Sequence, residues 1–147
     1  GWCGARLTTS LTRVGGMVAD VPDGWTDGLR RFIAGFPKTL AEADKMLTRN
    51  AIWVGRTVGL GVMTSDEAIN YGLSGPMLRA SGVAYDVRKD FPYLDYETYD
   101  WDVAVGTHGD VYDRYLVRME EMLQSIRILQ QAVDRLPDGP VNVQDPR

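Results

Sequence analysis

From Asp110 to Leu136 the apolar residues Tyr112, Tyr115, Leu116, Met119, Met122, Leu123, Ile126, Leu129, Val133 and Leu136 return at intervals of three and four. That spacing predicts one amphipathic helix, with Asp110 as its N-cap and Pro137-Asp138-Gly139-Pro140 as its stop. About 27 residues at 1.5 Å each make a rod roughly 40 Å long. Its other side carries Arg114, Arg118, Glu121 and Gln131.

The elements available to cover the stripe lie upstream. Residues 7–14 are β-branched and partly alternating, and they predict a short strand or extended segment closed by a turn at Gly15-Gly16. Trp25, Leu29, Phe32, Ile33 and Phe36 predict a helix over about 23–36, interrupted by Pro37. Thr39 and Glu42 then read as a capping box opening a second helix that buries Leu40, Ala43, Met46 and Leu47. Between Ala51 and Val62 three glycines among apolar residues predict a close-packed buried crossing. A second capping box, Thr64 with Glu67, starts a short helix that Gly72 stops, and Gly75-Pro76 opens one more turn. From Asp86 to Gly106 aromatic and acidic residues alternate without a clear period, which predicts irregular backbone or a small hairpin.

Composition narrows the chemistry. With 147 residues, 44% hydrophobic and 24% charged, the chain has the make-up of one ordinary globular domain. Lysine and arginine number 16 against 20 acids, for a net charge of −4, so there is no basic field to gather nucleic-acid phosphates. One cysteine, Cys3, and one histidine, His108, exclude an internal disulfide and a zinc site built from Cys and His. No apolar run approaches the ~20 residues of a membrane-spanning helix.

Few residues invite a catalytic reading. Asp95, Asp100, Asp102, Asp110 and Asp113 are close in sequence, yet no spacing sets a specific pair on one face for acid–base work, and a solvated loop with helix caps explains them as well. His108, in a turn before a helix, reads as a surface or capping residue more readily than as a proton shuttle. A nucleophile at Cys3 would need that same histidine as its base. Gly55, Gly59 and Gly61 do not form the G-x-G-x-x-G dinucleotide pattern. Six scattered methionines, of which Met119 and Met122 fall on the long stripe, read as core filling. Arg6 and Arg13 stand out, flanking the β-branched segment that ends at Gly15 and Gly16. Backbone and guanidinium could there approach a bound anion or an electron-poor cluster on a partner.

The order of longer strings says more. Gly4-Ala5-Arg6, Arg13-Val14-Gly15-Gly16, Arg49-Asn50-Ala51-Ile52-Trp53, Tyr71-Gly72-Leu73-Ser74-Gly75-Pro76, Leu78-Arg79-Ala80-Ser81-Gly82-Val83, Tyr85-Asp86-Val87-Arg88-Lys89 and Gly109-Asp110-Val111-Tyr112-Asp113-Arg114-Tyr115-Leu116 together resemble one family. It is the D subunit of NADH–quinone oxidoreductase (respiratory complex I), related to the large subunit of nickel–iron hydrogenases. The resemblance runs from about Gly4 to Val143 and implies the middle portion of a longer chain, so that residues 1–147 form a single partial domain. It also implies the fold class: mainly α, a multihelical hydrogenase-large-subunit-like core fragment, with a short extended or β segment near the N-terminus and an irregular or hairpin region before the long last helix.

The resemblance implies a collective function. In that family NADH reduces a flavin (FMN) in another subunit, electrons pass along iron–sulfur clusters, and quinone is reduced between the D subunit and the small iron–sulfur subunit. The quinone-headgroup tyrosine and histidine of the family lie upstream of the matched region, and the part that closes the cavity lies downstream. The resemblance therefore implies no catalytic residue, metal ligand or cofactor of this chain's own. It places Arg6, Arg13, Gly15 and Gly16 near the terminal cluster, with Thr8 where some relatives have histidine. Arg118 and Arg127 are candidates for contacts between subunits. The implied partners are the other complex I subunits, especially the small iron–sulfur subunit and a neighbour like the C subunit, with quinone as substrate. The implied location is peripheral, on the cytoplasmic or matrix face of the energy-coupling membrane. A related subunit of a membrane-bound hydrogenase or formate-hydrogen-lyase complex is the alternative within enzymes. A stand-alone interaction module docking through the aromatics between Phe91 and Trp101 is the alternative outside them.

Overall fold

The structure, a computed structural model, describes residues 5–143. They form a helical assembly built on two long antiparallel helices, α1 (Trp25–Leu47) and α6 (Val111–Asp134). Four short helices lie between them in sequence: α2 (Ala51–Thr57), α3 (Ser65–Asn70), α4 (Gly75–Ala80) and α5 (Val87–Asp90). A two-stranded hairpin, β1 (Thr12–Arg13) and β2 (Gly16–Met17), precedes α1. The mainly helical class, the short N-terminal β segment and the long last helix agree with expectation. No helix among the described residues is long and apolar enough to cross a membrane.

The antiparallel pair is zipped along its length. Arg30 meets Asp134 at one end, Ile33 packs on Ile126 and Val133, and at the other end the Thr48 carbonyl accepts from the Tyr112 hydroxyl at 2.7 Å. This alignment corrects the expected break at Pro37. Proline lacks the amide that would donate back to Ile33, yet α1 runs through it. Ile33 and Leu40, one on each side of Pro37, are both buried, and only a continuous helix keeps them on one line against α6. Packing overrides a local propensity of about 3 kcal/mol, and Thr39 and Glu42 become ordinary exposed helix positions rather than a capping box. The boundary comes instead after Leu47, where the Asn50 side chain caps α2 by accepting from the Ile52 and Trp53 amides.

The other capping box forms as its sequence predicts: the Thr64 hydroxyl accepts from the Glu67 amide while the Glu67 carboxylate accepts from the Thr64 amide. Gly72 ends that unit with φ +66°, and Pro76 opens α4. The stretch 51–62 departs from expectation. It contains a regular helix, and Ile52, Val58, Leu60 and Val62 are exposed rather than buried in a crossing. The segment 86–106 is irregular, with α5 and one 3-10 turn at Tyr96–Thr98, and no hairpin.

The largest departure concerns α6. Its apolar stripe covers α1, but Asp113, Val117, Gln124 and Ile128 on the opposite side are buried as well. There a second small core of Ala80, Ala104 and Val117 forms against α4. The long helix is thus a central rod with neighbours on two sides, which a single stripe does not foretell.

Candidate functional site

Of the N-terminal candidates Arg13, Gly15 and Gly16 lie in the hairpin, and Arg6 lies in a bend upstream of it. β1 and β2 pair antiparallel with Arg13 opposite Gly16, a shorter strand than the expected 7–14 and one in which Gly16 is itself paired. Gly15 and Gly16 have φ of +90° and +140°. A Cβ on Gly16 would overlap the Val141 carbonyl oxygen, because residues 141–143 run beside β2: the Met17 amide donates to Val141 at 2.8 Å and the Val143 amide donates to Gly15 at 2.9 Å. The glycine pair therefore admits the chain's own C-terminal segment. Arg13 folds back so that its guanidinium donates to the Ser10 and Thr12 carbonyls at 2.9 and 2.8 Å, and both Arg13 and Arg6 lie at the exposed surface. Thr8 is exposed in the same segment, whereas Cys3 lies outside the described residues.

The densest electrostatic cluster lies elsewhere, between α4, α5 and α6. The Arg79 side chain is only 6% exposed, carried there by α4, whose neighbours Leu78, Ala80 and Ser81 are buried too. Its Nε donates to Glu121 at 3.0 Å and its Nη2 pairs with the same carboxylate. Nη1 donates to the Tyr85 carbonyl and pairs with Asp86, both at 3.1 Å. Asp86 also accepts from Arg88 through Nε at 2.9 Å and Nη2 at 2.7 Å. Burial alone would push the Asp86 carboxyl up, but the hydrogen bonds from Arg88 and the charges of Arg88 and Arg79 outweigh it and hold the group below the ordinary carboxylate range. Arg88 in turn stacks over Trp101, 4.5 Å from the ring centroid, and Trp101 is buried. Two cations and two anions thus close on themselves as a fastening. The sequence signal was slight: an arginine inside the small and apolar run Pro76–Val83, and an aspartate two residues before another arginine.

Below this cluster the turn before α6 is fixed by aspartates. Asp110 caps α6 through the Asp113 amide at 2.7 Å and with its other oxygen accepts from the Gly59 amide at 2.7 Å. Asp113 accepts from the Thr107 and His108 amides, each at 2.6 Å. Burial works to raise the Asp113 carboxyl; the two amides and the His108 ring more than offset it, so it too sits below its ordinary range. The His108 side chain is 75% exposed, with Nδ1 3.3 Å from Asp113. These acids are spent on capping and backbone satisfaction, and among the described residues no group of three or more His, Cys, Asp or Glu is arranged to hold a metal.

Of the two candidate arginines on α6, Arg127 pairs inside the chain with Asp100 and Asp102, both at 2.8 Å, while Arg118 is exposed. Asp95 is exposed in the same irregular segment. The aromatic stretch is divided: Phe91 and Tyr93 are exposed, but Trp101 is core and so belongs to no docking face.

Among the described residues the buried charges Arg79 and Asp86 pair with one another and the hairpin lies at the surface; comparison with known proteins supplies the context. The respiratory-chain NADH dehydrogenase 49 Kd subunit family matches residues 1–147. The chain belongs to that family. It is 52% identical over 144 residues to the NADH-quinone oxidoreductase D subunit of Methylacidiphilum infernorum, covering 98% of this chain and 34% of the relative. Identity to the D subunit of Myxococcus xanthus is 54% over 142 residues, covering 97% and 34%. To the D subunit of Anaplasma marginale it is 50% over 142 residues, covering 97% and 36%. The chain therefore spans about a third of the length of these curated relatives. One cysteine in 147 residues does not supply the thiolate set of an iron–sulfur cluster.

Proposed function

We propose that these residues are the scaffold portion of the quinone-site subunit of a proton-pumping NADH–quinone oxidoreductase. In this reading flavin, nicotinamide and clusters are held by partner subunits, electrons reach quinone at the face shared with the small iron–sulfur subunit, and this segment supplies positioning and electrostatics. The observation that carries it is the family match over residues 1–147. Two features of the chain support it. The charged side chains with the most partners, Arg79, Asp86, Arg88 and Glu121, are consumed in fastening helices. Arg13 is exposed on the hairpin and Arg6 is exposed in the bend upstream of it, suited to lie against the terminal cluster's subunit. Arg118 is the freer candidate for a contact between subunits, and attachment is peripheral, on the cytoplasmic or matrix face of the membrane.

The test has two arms. The isolated 147 residues should show no NADH:quinone turnover, and turnover would overturn the scaffold reading. In the assembled complex, Arg13→Met should shift the midpoint potential of the terminal cluster by removing a nearby positive charge. An unchanged potential would remove Arg13 from the cluster's neighbourhood.

A further inference from the structure

Three Asp-Gly pairs stand in the sequence: Asp23-Gly24, Asp27-Gly28 and Asp138-Gly139. In such a pair the glycine amide nitrogen can attack the aspartate carboxyl, expel water and close a five-membered succinimide, since glycine carries no Cβ to hinder the approach. Water then reopens the ring at either carbonyl. One opening restores aspartate; the other gives isoaspartate, in which the main chain runs through the former side chain and is longer by one carbon. The water lost is the water regained, and no other reactant is needed. Ring closure does require that the Asp–Gly backbone can turn, and in this respect the three pairs differ.

Two of them are held. Asp27 and Gly28 lie in the first turn of α1, where the Gly28 amide donates to the Gly24 carbonyl at 3.0 Å. Asp23 and Gly24 lie inside the turn that the Trp25 amide closes on the Pro22 carbonyl, also at 3.0 Å. Rotating that unit would break both bonds and open α1. Asp138 and Gly139 are exposed instead, and among the described residues 137–140 make no hydrogen bond or ion pair. The sequence explains the gap. Pro137 and Pro140 lack the amides with which a turn would close over the pair, and Pro140 keeps Gly139 out of the helical region, at φ +139°. No other part of the chain lies within 4 Å of the place a Gly139 Cβ would take.

The strap 136–140 joins two anchored points. Upstream, Arg135 donates to the Thr98 carbonyl and hydroxyl, both at 3.1 Å, and stands over the Tyr99 ring. Downstream, the Met17 amide donates to Val141 and the Asn142 side-chain amide donates to the Met17 carbonyl at 3.1 Å. We propose that Asp138-Gly139 is a site of spontaneous isomerisation, and that isoaspartate there loosens residues 141–143 from the hairpin. One extra main-chain carbon between fixed ends displaces the Val141 and Val143 bonds. The product also presents a free α-carboxylate, the substrate class of the carboxyl methyltransferases that repair isoaspartate.

The test ages the assembled complex at neutral pH in water bearing heavy oxygen, followed by tryptic digestion and mass spectrometry. The peptide Val14–Arg30 carries the two held pairs, and the peptide beginning at Leu136 carries the third. Per site, isoaspartate and heavy oxygen should accumulate at Asp138 at least about tenfold faster than at Asp23 or Asp27, and in the same complex unfolded in urea that ratio should fall to about one. Asp138→Glu, which would need a six-membered ring, should abolish the label, and Asp138→Asn should hasten it with ammonia leaving in place of water. Hydrogen exchange at the Met17 amide should quicken as isoaspartate accumulates, but not in Asp138→Glu. Equal rates at the three pairs in the folded complex, label at Asp138 only after unfolding, or Met17 exchange that isomerisation does not move would each overturn the proposal.

Discussion

Replacing Arg79 with methionine is expected to remove about 3–5 kcal/mol of stability, the range for stranding one partner of a buried ion pair. The structure fixes which partner is stranded. Asp86 keeps three hydrogen bonds from Arg88, but Glu121, whose side chain is 19% exposed, loses both of its bonds from Arg79. The Tyr85 carbonyl loses its donor as well. Removing both charges with Arg79→Met/Glu121→Met leaves a packed apolar contact and should restore most of the loss, because pairs of this kind contribute little net stability against hydrophobic replacements. Urea unfolding followed by circular dichroism measures both. With a slope of about 1–3 kcal/mol per M, the single variant should move the midpoint down by roughly 2 M and the double variant by much less. A single variant within about 1 kcal/mol of wild type, or a double variant as unstable as the single, would refute the view that Arg79 and Glu121 act as one buried ion pair.

The same geometry sets three further outcomes. Asp86 and Asp113 are held below their ordinary range, so their contribution is complete above the unfolded value of about 3.9 and lost as pH falls through the folded values. Stability should therefore be flat from about pH 7 to 5 and drop below about 4, and Arg88→Met, which raises the folded Asp86 value toward the unfolded one, should make that drop shallower in an acid titration. Gly109→Ala should cost more than about 2 kcal/mol, since Gly109 has φ +66° and a Cβ there overlaps the Met63 carbonyl oxygen. Gly35→Ala, inside α1 with nothing within 4 Å, should stabilise by about 0.5–1 kcal/mol, and thermal melts of the two variants give the contrast. Pro37→Ala should raise stability by about 1–3 kcal/mol by returning the missing amide to a continuous helix; a loss in the same melts would mean that α1 needs its proline.

Local chemistry carried much of the architecture. The Thr64–Glu67 box, the Asp110 cap, Gly72 as a stop and Pro76 as a start all formed where their residues predict, because each is satisfied within four residues of itself. The order of family strings likewise identified the lineage without reference to the fold. Every choice between neighbours distant along the chain stayed open. Pro37 ends a helix by local rules, and only the burial of Ile33 and Leu40 against α6 carries α1 through it. Gly15-Gly16 reads equally as a cradle for a ligand or as room for backbone, and residues 141–143, more than a hundred positions away, took that room. Arg79, Asp86 and Glu121 are individually unremarked charges; burial between α4 and α6 made them one fastening. Capping and turn formation depend on groups a few bonds apart, so the sequence alone determined them. Helix continuity, the second buried side of α6 and the charge cluster depend on which surfaces meet, and only the tertiary structure decided that.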